Sequence, residues 1–353
     1  MLSEREEKYF KELTQLIAPS GCENNVAYYL KNEFQNLGLE IVTDNIGSIF
    51  GVKKSKNPNA KKVMIVAHMD EVGFYIARIL PNGLSKCTPI GSHNLLSLQG
   101  HRVIALNNEG NEVRGIIDST PNMNQNSSIK DYLFDFGFKS IEDYKKAGLN
   151  LGSPLVVEGN FEYSFDKESI ISKAIDDRCG IVLELELLNE LKDVDLPFDL
   201  YVGGSVQQEV GSRGASTCSS LINPDFAIVL DCLMAKDNLC KTGYGDLGGG
   251  VLIQYLDKSM IGFKELLDLQ IDACKKTGAK YQYFESTEST DAGIIHKNLN
   301  GILTLTHCIC ARGIHTSSSM MRIDDYLDAK KSLIYLVSNL TNDKIEELKE
   351  RGL

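Results

Sequence analysis

The sequence predicts an α/β protein whose main domain is split by an inserted all-β module. Two observations carry this. At both ends of the chain, apolar strand-like runs alternate with amphipathic helical patterns. From about residue 72 to 165 that alternation gives way to short strand-like pieces between Gly, Asn and Pro turns. Length agrees: 353 residues exceed one small core, and domains run roughly 100 to 200 residues. The predicted division is 1–71 with 166–353 for the α/β domain and 72–165 for the insert.

Residues 4–18 carry Tyr9, Phe10, Leu13, Leu16 and Ile17 at helical spacing. Pro19 and Gly21 in "APSGCE" end that pattern, and a second helix is expected over Asn24 to Leu37. Strand-like runs follow: "LEIVTD", "SIFGVK" and "KVMIVAHMD". Val63 to Ala67 is continuously apolar, as a strand buried on both faces requires. In the insert, "GFYIARIL", "HRVIALNN" and "EVRGIID" read as strands and "SIEDYKKAGL" as a helix. Beyond residue 170, "GIVLELELLNELKDV", "FKELLDLQIDACKKTG" and "DYLDAKKSLIYLVSNLTNDKIEELKE" read as helices. "FDLYVGGSV", "FAIVLDC" and "GILTLTH" read as buried strands. No internal repeat or low-complexity segment appears.

Composition narrows the function. The chain is 42% hydrophobic and 24% charged, with a formal charge of −11. No basic cluster is dense enough to track a phosphate backbone, which disfavours nucleic acid. No run of about 18 apolar residues predicts a membrane span. The opening "MLSEREEKYF" lacks an apolar signal core, so a cytoplasmic location is expected. The nine cysteines form no C-x-x-C pair, the tightest spacing being Cys308 and Cys310. They read as reduced, packed thiols, not as a Cys₄ zinc site.

In open α/β sheets, ligands sit beyond the carboxyl ends of strands. His68-x-Asp70 follows "VMIVA", Glu209 follows "FDLYVGGSV", and Asp231 follows "AIVL". His315 lies in "GIHTSS", shortly after "GILTLTHCIC", while Asp176 and Asp177 lie in "KAIDDRCG", which opens a helix. Imidazole with carboxylate and no thiolate is the ligand set of hydrolytic Zn, Co or Mn sites. A carboxylate able to bridge two metals suits water activation. Asp70 suits the outer task of taking the second ring N–H of His68. Each residue alone has a plainer reading. A histidine after a strand is commonly structural, Asp-Asp before Arg serves as a helix N-cap, and Asp231 can cap a turn. The constellation carries the inference. No G-x-S-x-G elbow and no H-E-x-x-H helix is present. "GDLGGG" reads as a loop and Cys179 as a packed thiol.

The set "AHMDEVGF", "KAIDDRCG", "QQEVGSRGA", "IVLDC", "STDAG" and "GIHTSS" resembles the glutamyl/deblocking (tetrahedral) aminopeptidases, family forty-two of the metallopeptidases. Some members of that family carry an endoglucanase designation. The match runs in order over nearly the whole chain, including "APSGCE" and "IKDYLFDFGFKSIEDYKKAGL". The resemblance implies a phosphorylase/hydrolase-like three-layer α/β catalytic domain with an inserted small β-barrel dimerisation domain. It implies homo-oligomers, dimers or dodecamers, and two divalent metal ions (Zn, Co or Mn). Carried over, His68 and Asp231 correspond to ligands of one metal, and Glu209 and His315 to ligands of the other. Asp176 corresponds to the bridge, Asp70 to the partner of His68, and Asp291 to a position near the substrate end.

Two departures stand out. The family has two adjacent glutamates before Val-Gly, the first a general base and the second a metal ligand. Here the first is Gln208 and only Glu209 remains. The family also usually has Pro-Pro-His after a "GVIG"-type strand, where this chain reads "GIIDSTPNMN". In the family's reaction, a carboxylate takes the proton of the attacking water and hands it to the leaving amine, a step worth typically 10²–10⁴-fold. The Gln208 amide can hydrogen-bond that water but cannot accept its proton. Glu71 is the one spare carboxylate close in sequence. The expected activity is aminopeptidase hydrolysis of peptides, slowed at this step. The alternative is a metal-binding but inactive relative that binds peptides or serves assembly. A polysaccharide hydrolase ranks below both, because the carboxylates are accounted for as metal ligands.

Overall fold

In a computed structural model of the chain, residues 1–94, 97–119, 128–235, 237 and 245–350 are described. Their centre is a mixed sheet, eleven-stranded among those residues. Four parallel strands form its middle, in the order Asp199–Ser205, Lys62–His68, Phe226–Met234, Leu303–Arg312. Antiparallel strands flank them on both sides.

Alternation along the middle strands builds three layers. Val63, Ile65 and Ala67 join the larger core with Ile228 and Leu230, beneath the helices Glu4–Gln15, Ile175–Glu190 and Ile323–Asn339. Met64, Val66, Ala227 and Val229 face the other way, onto Ala215, Cys218 and Ile295. Both faces are therefore covered, as the unbroken apolar run predicts. The Asp199–Ser205 strand needs Gly203 for a close approach, because a Cβ there would lie 2.0 Å from the Ile49 carbonyl oxygen.

Helix boundaries follow local chemistry. Ser3 and Glu6 form a reciprocal capping box at the start of Glu4–Gln15. That helix stops at Gln15, three residues short of the expected end, as the chain turns extended at Leu16. The long C-terminal pattern divides into Ile323–Asn339 and Asn342–Glu350, because Leu340 leaves the helical region. No described helix is long and apolar enough to cross a membrane.

The inserted segment forms a closed six-stranded antiparallel barrel. Its strand order is Gly73–Ile79, Leu84–Ile90, Tyr132–Asp135, Glu112–Ser119, Arg102–Leu106, Pro154–Val157. Phe74, Ile76, Val103, Phe134 and Leu155 fill it, with the helix Ile141–Ala147 adding Tyr144. The chain leaves the sheet just after Asp70 and returns before Lys173. There Lys173 Nζ donates to both Glu71 oxygens, at 2.8 and 2.9 Å. That buried pair ties the exit of the insert to its re-entry, beside the carboxyl ends of the parallel strands.

Candidate metal centre

Sheet register sets the first donors. His68 ends its strand opposite Ser205. Val229 pairs with Val66, so Asp231, two residues further, stands at the level of His68. Asp176 begins the Ile175–Glu190 segment, Glu209 sits in the turn after Asp199–Ser205, and His315 follows the Leu303–Arg312 strand with a left-handed φ of 62°. All five meet at one sheet edge.

They form two groups that share one member. His68 Nε2 lies 3.0 Å from Asp176 Oδ1 and 3.9 Å from Asp231 Oδ1. His315 Nε2 lies 3.2 Å from Asp176 Oδ2 and 3.2 Å from Glu209 Oε1. Donor atoms within each trio, His68–Asp176–Asp231 and Asp176–Glu209–His315, fall within 4.8 Å of one another. Asp176 thus turns one carboxylate oxygen toward each histidine.

The electrostatics fit cations. Three carboxylates converge here, and among the described residues their ion-pair partners are only His68 and His315. Burial and the charge of Asp176 push the Asp231 carboxyl well above its usual range. Burial also raises Glu209. Burial alone would lower His315, but the carboxylates of Asp176 and Glu209 overcome it and hold the imidazole up at about 11. Such a set is short of positive charge and open to hard or borderline divalent ions.

The two acids of "IDD" divide their labour. Asp176 faces the histidines, while Asp177 Oδ1 accepts the Gly180 N–H at 3.0 Å, an N-cap bond for the helix proper. Gly180 makes this possible, since a Cβ there would lie 2.3 Å from Asp177 Oδ2. The peptide between the two acids is cis. Cys179 is buried and donates to Asp177 Oδ1 at 3.4 Å, as a packed thiol does. The described cysteines are all free.

Asp70 does more than meet His68. His68 Nδ1 lies 3.1 Å from the Asp70 carbonyl oxygen and 3.5 Å from Oδ1. The carboxylate also accepts the N–H of Gln208 at 2.9 Å, the N–H of Glu209 at 3.1 Å and the Ser20 hydroxyl at 2.6 Å. Glu71 is no spare base: Lys173, Arg178 and the Ala18 N–H occupy it.

A cavity of about 310 Å³ opens onto the centre, lined by Asp176, Gln208, Glu209, Asp231 and His315 along with Lys258 and Glu288. Gln208 is on its wall, with Nε2 donating to the Ser289 carbonyl at 3.2 Å. Asp291 does not line this cavity. It is buried at the start of the short Ala292–Ile295 helix, and Oδ2 accepts the Ser205 hydroxyl at 2.5 Å. Of the run "GIIDSTPNMN", which has no Pro-Pro-His, residues 120–124 lie outside the described residues.

Three neighbours escaped the sequence reading. Glu23 is buried, pushed up to about 7 by that burial and by the charge of Asp70. Ser205 anchors Asp291. His93 stacks on Phe74 at 4.3 Å between ring centres, and its Nε2 donates to Gly73 and Ile90 carbonyls at 2.9 and 3.1 Å. "APSGCE" was the one signal for Glu23; the other two have no local signature.

Fold and site together define an α/β protein with an inserted barrel and a candidate centre for metal-assisted hydrolysis at the carboxyl ends of its parallel strands. Comparison narrows the class. The family model of the M42 glutamyl aminopeptidases matches residues 47–331. The glutamyl aminopeptidase of Lactococcus lactis is 33% identical over 96% of this chain and 98% of its own. The aminopeptidase of the archaeon Desulfurococcus kamchatkensis superposes with a TM-score of 0.93 at 29% identity, covering 98% of this chain and 99% of that one. A TET aminopeptidase from a marine-sediment Thaumarchaeota archaeon superposes at 0.92 with 28% identity, covering 98% and 99%. The chain belongs to the M42 aminopeptidase family.

Proposed function

We propose that this chain is a dinuclear-metal aminopeptidase that removes N-terminal residues from peptides in the cytoplasm. The observation that carries the reading is Asp176, whose two oxygens stand 3.0 and 3.2 Å from imidazoles belonging to separate donor trios. In this reading His68 and Asp231 would hold one divalent ion and Glu209 and His315 the other, with Asp176 available to both. Zn, Co and Mn all suit the set. Bound there, such ions would supply Lewis acidity toward water and the scissile carbonyl.

The chain's own groups do the rest. Asp70 fixes the ring of His68 and the backbone of Gln208 and Glu209. Gln208 stands on the cavity wall where the family carries its base. Its amide can orient water but holds no proton-accepting carboxylate, so proton transfer to the leaving amine loses most of the typical 10²–10⁴-fold assistance. The non-catalytic alternative rests on Gln208 and on the missing Pro-Pro-His, while the complete donor set favours an enzyme. We assign 72–165 as a self-association domain separate from the catalytic halves 1–71 and 166–353, giving dimers or dodecamers. Support comes from the barrel and from the fold likeness to a TET1 dodecamer (23% identity, TM-score 0.86). Asp291 is assigned to the substrate end of the site.

Hydrolysis of a panel of aminoacyl chromogenic substrates, with Zn, Co or Mn and after chelation, tests this. Expected is slow release that chelation abolishes and metal restores. Equal rates in chelator would overturn the metal reading. No release from either this chain or its Gln208→Glu variant would overturn the aminopeptidase reading.

A further inference from the structure

Three consecutive N–H groups in the turn after the Asp199–Ser205 strand are taken by two buried carboxylates. Gln207 N–H donates to Glu23 Oε1 at 3.0 Å, Gln208 N–H to Asp70 Oδ1 at 2.9 Å, and Glu209 N–H to Asp70 Oδ2 at 3.1 Å. Gln207 adopts a left-handed φ of 59°. A non-glycine residue there costs of order 1–2 kcal/mol and persists only where its surroundings over-determine it.

Glu23 supplies one of those constraints. It is 5% exposed, and Oε1 also accepts the Gly21 N–H at 2.8 Å. It belongs to neither donor trio and does not line the cavity. Burying a carboxylate on two backbone donors is a poor route to stability, because desolvation costs more than such bonds return. What the contact does is fix direction. Asp70 secures the 208–209 peptides, but the chain enters them through Gln207. If Gln207 relaxes to an extended φ, the pair swings as one unit, and a donor site tolerates only about 0.5 Å of such movement.

We propose that Glu23 is a positioning residue for the metal centre, acting through the Gln207 N–H to aim Glu209 and the residue at 208. This rests on the dinuclear reading above. It requires an acceptor oxygen at the right reach, not a negative charge.

The test is cobalt titration of the full chain, read by visible absorption and calorimetry, with Glu23→Gln, Glu23→Met and Glu23→Asp. Glu23→Gln keeps the oxygen and is expected to bind cobalt within about threefold of the unaltered chain. Glu23→Met matches its shape without an acceptor. It is expected to lose affinity about 10–100-fold, the usual cost of removing an outer partner, at one of two sites only. Glu23→Asp keeps the charge but falls one methylene short, and is expected to follow Met. It also decides the question should Glu23→Met fail to fold. Equal binding in all variants, equal loss at both sites, or Asp matching the unaltered chain while Gln fails would each overturn the inference. No cobalt binding by the unaltered chain would instead overturn the metal reading, and this inference with it.

Discussion

Two buried aspartates in this molecule do the same backbone job and come out differently. Asp70 accepts the N–H groups of Gln208 and Glu209. Asp325 accepts those of Gly248 and Gly250, at 2.8 and 2.7 Å, in the "GDLGGG" loop. Burial pushes both acids up. At Asp70 the His68 imidazole and the Ser20 hydroxyl overcome that push and hold the acid below its usual range. At Asp325 no cation stands within ion-pair reach among the described residues, and burial drives the carboxyl to about 6. A carboxylate in a cradle of backbone N–H groups is thus ordinary architecture. It becomes part of a site where a histidine closes its other side.

The largest expected effect separates the cradle from its occupant. Asp70 sets where residue 208 stands, and the side chain there sets what it can do. Gln208→Glu is expected to raise kcat on aminoacyl substrates about 10²–10⁴-fold with little change in metal content. Unchanged turnover would remove the missing-base argument. Next, Glu209→Ala leaves the Asp70 cradle intact but empties what it aims. Metal analysis is expected to show one ion lost and one kept; unchanged stoichiometry would refute Glu209 as a ligand.

A matched pair then tests the comparison directly. In the Gln208→Glu background, Asp70→Asn is expected to lower activity about 10–100-fold, because one backbone N–H then faces an amide N–H₂ and His68 loses its anion. Asp325→Asn makes the same change in the other cradle and is expected to leave activity within about twofold. If the two substitutions cost activity alike, the distinction between them fails.

Much of this was legible along the chain, and the parts that were not have physical causes. The apolar run Val63–Ala67 declares a strand covered on both faces, because side-chain alternation leaves no polar side. His68, Glu209 and Asp231 declare themselves by following such runs. The Asp176–Asp177 pair is different: the sequence permits a cap or a ligand, and the backbone turns Asp176 to the histidines and Asp177 to the Gly180 N–H. "APSGCE" marks Glu23, but its partner Gln207 lies 184 positions away, so no local pattern reports the contact. Glu71 looks free in sequence and is occupied by Lys173 and Arg178 from beyond the insert. Asp291 is held by Ser205, which lies 86 positions away and gives no local sign of the contact.

The smallest effect is a pH dependence of stability at Asp325. Its folded carboxyl titrates at about 6, against an ordinary value of 3.8. Between those values the folded state keeps a proton that the unfolded chain has released. Stability therefore falls as pH rises through that window, by about 3 kcal/mol, and the loss persists above it. The side chain in Asp325→Asn does not titrate. Thermal unfolding of both proteins in the same metal state should show the variant gaining on the unaltered chain between pH 4 and 7, by a few degrees. Subtraction removes every other titrating group common to the two. A difference that stays constant with pH would mean that Asp325 is electrostatically compensated after all, and that its cradle resembles that of Asp70 more closely than the geometry indicates.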